Sequence, residues 1–329
     1  MASVVPRESV VAPRNPAQRS VPRWLRGIFI ANLVAQIGIV VTGGIVRVTG
    51  SGLGCPTWPE CVEGSYTPTS RQEEAWHKYV EFGNRLLTFV LGVLALAAII
   101  AALAWWAKRR QRGPIVVLAA VPLAGTVAQA VLGGITVLTG LSPWAVAAHF
   151  LVSMAIIAGV TVLVVRSADP GDQPVVRLVR TEVRALSWLL VLVTAVVVFL
   201  GVIVTGSGPH SGDADTEARF PVDARTVSWL HADAVLLFIG LIVGMLIVIR
   251  VVHGPRRATT LVSLLALTAV VQGIIGYAQY FSGLPWALVT VHMLGACLVW
   301  MLAVMQLLAL RSRGISSEET AQTEYAATI

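Results

Sequence analysis

Three histidines, one glutamate and a pair of cysteines are the residues of this sequence whose types and surroundings could do chemistry. His149, His231 and His292 each stand within the first two turns of a long apolar segment. Ionisable side chains in such segments are costly to bury and usually face the interior of a helix bundle. The three segments run in the same direction, so the imidazoles share one depth. The equivalent position of a fourth segment holds Asn84. An iron in a porphyrin takes one imidazole from each face of the ring, at one depth, on neighbouring helices. His231 and His292 meet that demand, whereas His149 has Asn84 opposite. The plainer alternative makes these histidines hydrogen-bonding residues between helices, and three at repeat-related positions weigh against it. His77 and His210 in outer segments and His253 in an inner loop read as solvated.

Glu81 lies one helical turn before Asn84 and shares its face. It could act as a general acid or base, or Arg85 or Lys78 could simply neutralise it. Arg47 and Arg85 lie near the outer end of the first half, where each could pair with a porphyrin propionate. Their counterparts in the second half are Ile203 and Ala232. Cys55 and Cys61 flank Pro-Thr-Trp-Pro-Glu in an outer loop, where disulfides are permitted. Both a structural staple and a redox-active pair are open readings. Metal binding there is disfavoured, because no further Cys or His stands at ligand spacing. Cys297 reads as a small packing residue inside the last apolar segment.

The elements that must position these groups are membrane helices. Of 329 residues 56% are hydrophobic and 12% charged, with a mean hydropathy of +0.78. Soluble domains carry about 25% charged residues, so a soluble enzyme and a disordered chain are both excluded. A membrane helix needs about 20 apolar residues. Eight segments qualify, near 27–48, 78–106, 114–139, 144–165, 186–205, 226–250, 259–281 and 285–310. With the N-terminus inside, 18 of the 24 Lys and Arg residues fall on the cytoplasmic side. That is the positive-inside pattern, which accounts for the net charge of +7 without nucleic acid. Trp58, Trp76, Trp144, Trp229 and Trp286 read as anchors at the outer interface.

The apolar segments form an internal repeat. Thr49-Gly50-Ser51-Gly52 recurs as Thr205-Gly206-Ser207-Gly208, and Gln129, Gly133, Gly140, Leu141 and His149 recur 143 residues later as Gln272, Gly276, Gly283, Leu284 and His292. The predicted fold is an all-α integral membrane protein of eight transmembrane helices in two parallel-repeat four-helix bundles, with both termini cytoplasmic. Residues 1–25 are expected as a disordered cytoplasmic tail and 26–166 as the first bundle, with its outer cysteine loop at 50–77. Residues 167–185 are expected as a cytoplasmic linker, 186–312 as the second bundle and 313–329 as a second disordered tail.

The stretch TGGIVRVTGSGLGCPTWPEC, followed by EFGNRLLTFVLG, AVAAHFLVSM, SWLHADAVL and TVHMLGACL, resembles the heme A synthases across all eight spans. The composition and the cysteine pair look like the actinobacterial branch. The resemblance implies an oxidoreductase of the bacterial cytoplasmic membrane that converts heme O to heme A for cytochrome oxidase. The C8 methyl of the porphyrin becomes a formyl group through two hydroxylations and loss of water. It further implies a resident heme b on His231 and His292, substrate iron bound by His149, Glu81 as the residue needed for activity, and a Cys55–Cys61 disulfide. Heme sites toward the outer face, heme O as substrate, the farnesyltransferase that makes it as a neighbour, an electron acceptor and the lipid bilayer are the implied surroundings. One departure stands out: the family motif E-x-x-H reads E-x-x-N here, with Asn84 in place of an axial histidine. His149 is therefore expected to hold the substrate iron alone, with the sixth position open or weakly occupied.

Three rival functions fit less well. A b-type membrane cytochrome that only carries electrons would share the histidines but has no use for Glu81 or the cysteine loop. A two-repeat transporter would need a polar path through the middle, whereas the polar groups here crowd the outer half. A thiol–disulfide exchanger would want a second cysteine pair.

Overall fold

The computed structural model describes residues 21–109, 113–170, 174–210, 212 and 219–313. Most of both expected tails, with Arg7, Arg14 and Arg19, lies outside the described residues, as do Arg110 and Arg112. The helices are α1 Arg23–Val48, α2 His77–Arg109, α3 Gly113–Ala119, α4 Val121–Leu138, α5 Pro143–Ser167, α6 Thr181–Ser207, α7 Ala224–Val251, α8 Arg256–Phe281 and α9 Trp286–Leu308. Among the described residues eight spans are long and apolar enough to cross a membrane, with α3 and α4 forming one of them. At about 1.5 Å per residue, the 26 residues of α1 exceed the ~30 Å hydrocarbon thickness.

The third span breaks at Ala120 because Pro122 follows it. Proline has no N–H for the preceding turn, and the Ala120 N–H bonds to Val117 three residues back instead. The helices α1 and α6 start earlier than the apolar runs suggest, at Arg23 and Thr181. A backbone helix continues past the hydrocarbon region where the side chains of its first turn are polar or basic. The linker ahead of α6 also carries a two-residue strand, β1 Val176–Arg177, paired antiparallel with β2 Arg311–Ser312. It ties the linker to the end of the last span.

Within the first half, α1 packs on α2 and α5, and α4 packs on α2 and α5. Within the second, α6 packs on α7 and α9, and α8 packs on α7 and α9. Each half is thus a ring of four spans, with α2 facing α5 and α7 facing α9 across the diagonal. One apolar core is built around Leu25, Phe29, Ile115, Ile157 and Leu163, and another around Leu190, Ile242, Met245, Ile249 and Leu265.

The halves meet where α9 packs on α1 and α5, and α5 on α6. The buried Cys297 of α9 belongs to the first core, and the Trp300 indole N–H donates to the Met154 carbonyl at 2.8 Å. Gly44 of α1 admits the Met293 side chain so closely that a Cβ there would lie 2.7 Å from the sulfur.

The turns after α4 and α8 repeat in detail. Gly140 and Leu141, and again Gly283 and Leu284, have φ of 58°, 57°, 78° and 60°. Leu141 N–H donates to Thr136 and Leu284 N–H to Gln279, each at 2.8 Å across five residues. This helix-ending geometry reverses the chain sharply and brings His149 and His292 to the same height on the helices that follow.

Candidate functional site

Each imidazole at this depth rests on a glycine of the neighbouring helix. A Cβ on Gly133 would lie 3.5 Å from Cε1 of His149, one on Gly276 3.5 Å from Cε1 of His292, and one on Gly201 3.3 Å from Cε1 of His231. The rings are held in cradles that a larger residue would fill. His231 and His292 stand on α7 and α9, which face each other across the ring. Among the described residues no well-formed hydrogen bond meets the buried Nδ1 of His149, His231 or His292.

A second shared feature fixes two of these histidines along the helix axis. The Gln129 amide donates to the His149 carbonyl at 2.9 Å, and the Gln272 amide to the His292 carbonyl at 2.8 Å. Both glutamines leave Oε1 buried and unpartnered. These glutamines and glycines were visible in the repeat, where nothing in their types assigned them a role. The signal was that they travelled at the same offset as the histidines.

In the first half the position facing His149 belongs to Asn84, half-buried on α2. Its Oδ1 accepts from the Thr42 hydroxyl of α1 at 2.7 Å, and its Nδ2 lies 3.9 Å from where a Cβ on Gly43 would stand. Deeper in the same bundle, Gln36 donates to Thr126 at 3.4 Å across the other diagonal. That tie closes the bundle below the His149 level.

Glu81 is buried at 5% exposure and held from two sides. The backbone N–H of Cys55 donates to Oε2 at 2.6 Å, and Arg85 donates to Oε1 through Nε at 3.0 Å and Nη2 at 2.6 Å. Arg85 also donates to the carbonyls of Cys55, Thr57 and Glu60. Of the two cations that could have neutralised Glu81, Arg85 does so, while Lys78 donates to the Thr69 and Gln72 carbonyls. Cys55 and Cys61 are joined in a disulfide with their Cα atoms 4.3 Å apart. The cysteine loop is therefore wired to the carboxylate through one of its own backbone amides. Its Trp58 ring lies on Gly134, beside the glycine that cradles His149.

The side chain of Arg47 crosses the seam between the halves. It donates to the Thr205 carbonyl at the end of α6 at 3.1 Å and to the His210 carbonyl at 2.8 Å. A cation there complements the carbonyl end of a helix. Neither His77 nor His210 is merely solvated: His77 Nδ1 lies 2.8 Å from the Ser51 hydroxyl, and His210 Nε2 lies 2.8 Å from the Leu284 carbonyl. Among the described residues no group of three or more His, Cys, Asp or Glu is placed to hold a metal ion. Pairs of facing imidazoles suit a metal that brings its equatorial ligands with it.

Residues 26–210 match the COX15-CtaA family, described as cytochrome oxidase assembly protein. The chain belongs to this family. It is 26% identical to a heme A synthase of Bacillus licheniformis over 306 residues, 88% of this chain and 97% of that protein. A heme A synthase of Bacillus cereus is 24% identical over 92% of this chain and 98% of its own length. One from Lysinibacillus sphaericus is 31% identical over 142 residues, 43% of this chain and 44% of that protein. The family match covers the whole first half, where Glu81, Asn84, His149 and the cysteine loop are found, and the two Bacillus relatives extend the similarity through the second.

Proposed function

We propose that the chain is a heme A synthase of the bacterial cytoplasmic membrane, which oxidises the C8 methyl of heme O to the formyl group of heme A for cytochrome oxidase. The observation that carries this reading is an asymmetry between two similar sites. Both halves present facing residues at one depth, but among the described residues only the first has a buried carboxylate one turn away, anchored by a loop amide and an arginine. One site is dressed for binding alone and the other for binding and chemistry.

In the second half, His231 and His292 are the residues that would hold heme b; the glycine cradles that seat both rings fit such a group. When bound, that group supplies one-electron chemistry. In the first half, His149 takes the iron of heme O and so sets the porphyrin's depth in the bundle. Glu81 holds or moves a proton at Oε1 or Oε2 as the methyl carbon loses hydrogen. Arg85 and the Cys55 amide keep the carboxylate in place through charge-assisted hydrogen bonds. The cysteine loop and Trp58 cover the site from the side that the charge pattern assigns to the outside, with both termini in the cytoplasm.

The deciding experiment is mass analysis of hemes extracted from a host that makes heme O, with and without the protein. New heme A or its hydroxylated precursor is the expected result. A well-folded, heme-loaded protein that yields only heme O and heme b would instead favour a membrane cytochrome that carries electrons.

A further inference from the structure

We infer that Asn84 serves as a hydrogen-bond donor to a small oxygen-donor ligand on the open face of the substrate iron, opposite His149, and is not itself an iron ligand. The inference rests on the proposal that heme O binds in the first half.

The geometry of the Thr42–Asn84 pair carries it. The Thr42 hydroxyl lies 2.7 Å from Asn84 Oδ1 and 3.2 Å from the Ile39 carbonyl. A hydroxyl has one proton to donate, and the shorter contact is a full-strength O–H···O bond. With Oδ1 engaged by α1, the amide is turned so that Nδ2 points elsewhere. Among the described residues no acceptor meets Nδ2, which lies 3.9 Å from where a Cβ on Gly43 would stand. Its N–H groups are thus available to an acceptor that arrives with a ligand. The amide nitrogen has no lone pair to offer a metal, because that pair is delocalised into the carbonyl.

The second half shows what the first has replaced. By the repeat register Thr42 corresponds to Val198 and Asn84 to His231. The polar pair thus occurs only where an imidazole is missing. Thr42 is the added part: with its proton on Oδ1, the hydroxyl leaves the amide N–H groups for another acceptor. The reactivity of a five-coordinate heme iron depends on the hydrogen-bond donors over its open face. Binding water, hydroxide or dioxygen there requires the vacant coordination position that histidine would block.

The test is ligand binding to the full-length protein carrying both hemes, with carbon monoxide on the reduced form and sodium azide on the oxidised form. In the unchanged protein one of the two hemes should take carbon monoxide and azide. Asn84→Leu should keep carbon monoxide binding but weaken azide by about ten- to a hundredfold, the range for a hydrogen bond to a charged partner. Asn84→Asp, which offers acceptors only, should weaken azide at least as much, and Thr42→Val should weaken it severalfold by freeing the amide. Asn84→His should give a second six-coordinate low-spin heme and suppress carbon monoxide binding. Azide affinity unchanged in both Asn84→Leu and Asn84→Asp would overturn the inference while leaving the substrate site intact. A protein that loads only one heme, or whose ligand-binding heme survives His149→Ala unchanged, would overturn the reading beneath it.

Discussion

The two halves of this molecule solve the same packing problem and part company over four side chains. Each is a ring of four spans with a glycine-cradled histidine on its last helix, whose carbonyl is held by a glutamine of the preceding span. In the second half the facing residue is His231, seated against Gly201 of α6, and among the described residues no carboxylate of α7 is hydrogen-bonded to the loop above it. In the first, Asn84 and Thr42 pair across α1 and α2, and Glu81 and Arg85 form an ion pair one turn nearer the cysteine loop. The two frames share their packing and differ in the side chains they present. The seam brings the frames together, with Met293, the residue after His292, seated on Gly44 of α1.

The comparison can be broken most decisively at the second-half histidines. His231→Ala or His292→Ala should abolish the low-spin b-type absorbance of the purified protein, whereas His149→Ala should leave it. Equal loss of that signal from all three variants would mean the halves are not separate sites. Next in size, Glu81→Gln should cut heme A formation by about a hundredfold to ten-thousandfold, the usual range for a general acid or base. The b-type spectrum should not change. Unaltered heme A output from cells carrying the variant would remove Glu81 from the chemistry.

Filling a cradle should then separate the halves by sterics alone. Gly276→Val, whose methyl groups reach beyond the 3.5 Å Cβ position toward the His292 ring, should shift or broaden the low-spin bands. Gly133→Val should spare those bands and lower retention of heme O, read by extraction after purification. A smaller effect is expected from Cys61→Ser. Loss of a disulfide costs about 2 kcal/mol or somewhat less for so short a loop, so thermal stability should fall by a few degrees. Heme A output should also fall, because the Cys55 amide no longer fixes Glu81, while the b-type bands persist.

The smallest effect should come from Asp223, the cap of α7. Its carboxylate accepts from both the hydroxyl and the N–H of Thr226, which hold its pKa below the ordinary aspartate value. A depressed folded-state pKa means that the stabilisation is complete above the unfolded value, near 4, and is lost as pH falls through the folded one. The difference in melting temperature between the protein and Asp223→Ala should therefore be present at neutral pH and shrink on acidification below about pH 4. A difference independent of pH would show that the carboxylate's charge has no part in the cap.

Much of this was legible from the chain alone. The spans were found to within a few residues because transfer into lipid is summed over about 20 positions, a signal that tolerates local irregularity. The helix break at Ala120 could have been anticipated from Pro122. The β1–β2 ladder could not, because two-residue strands carry no periodicity. Arg85 and Lys78 were equally placed in sequence to neutralise Glu81. Only the folded loop shows Lys78 occupied by the Thr69 and Gln72 carbonyls, which leaves Arg85 on the carboxylate. Arg47 read as a cation for a bound carboxylate, and the structure finds it on the carbonyls of Thr205 and His210, more than 150 residues away.

By itself the sequence determined that this is a membrane protein of eight spans, and its repeat offset paired Gln129 and His149 with Gln272 and His292. Hydropathy, charge bias and repeat offset are properties of residues taken one segment at a time. The tertiary structure decided which helices face each other across each ring, which way the Asn84 amide turns, and that a loop amide 26 residues from Glu81 holds its carboxylate. Those outcomes depend on directional hydrogen bonds and close glycine contacts between distant segments, which exist only once the helices have packed.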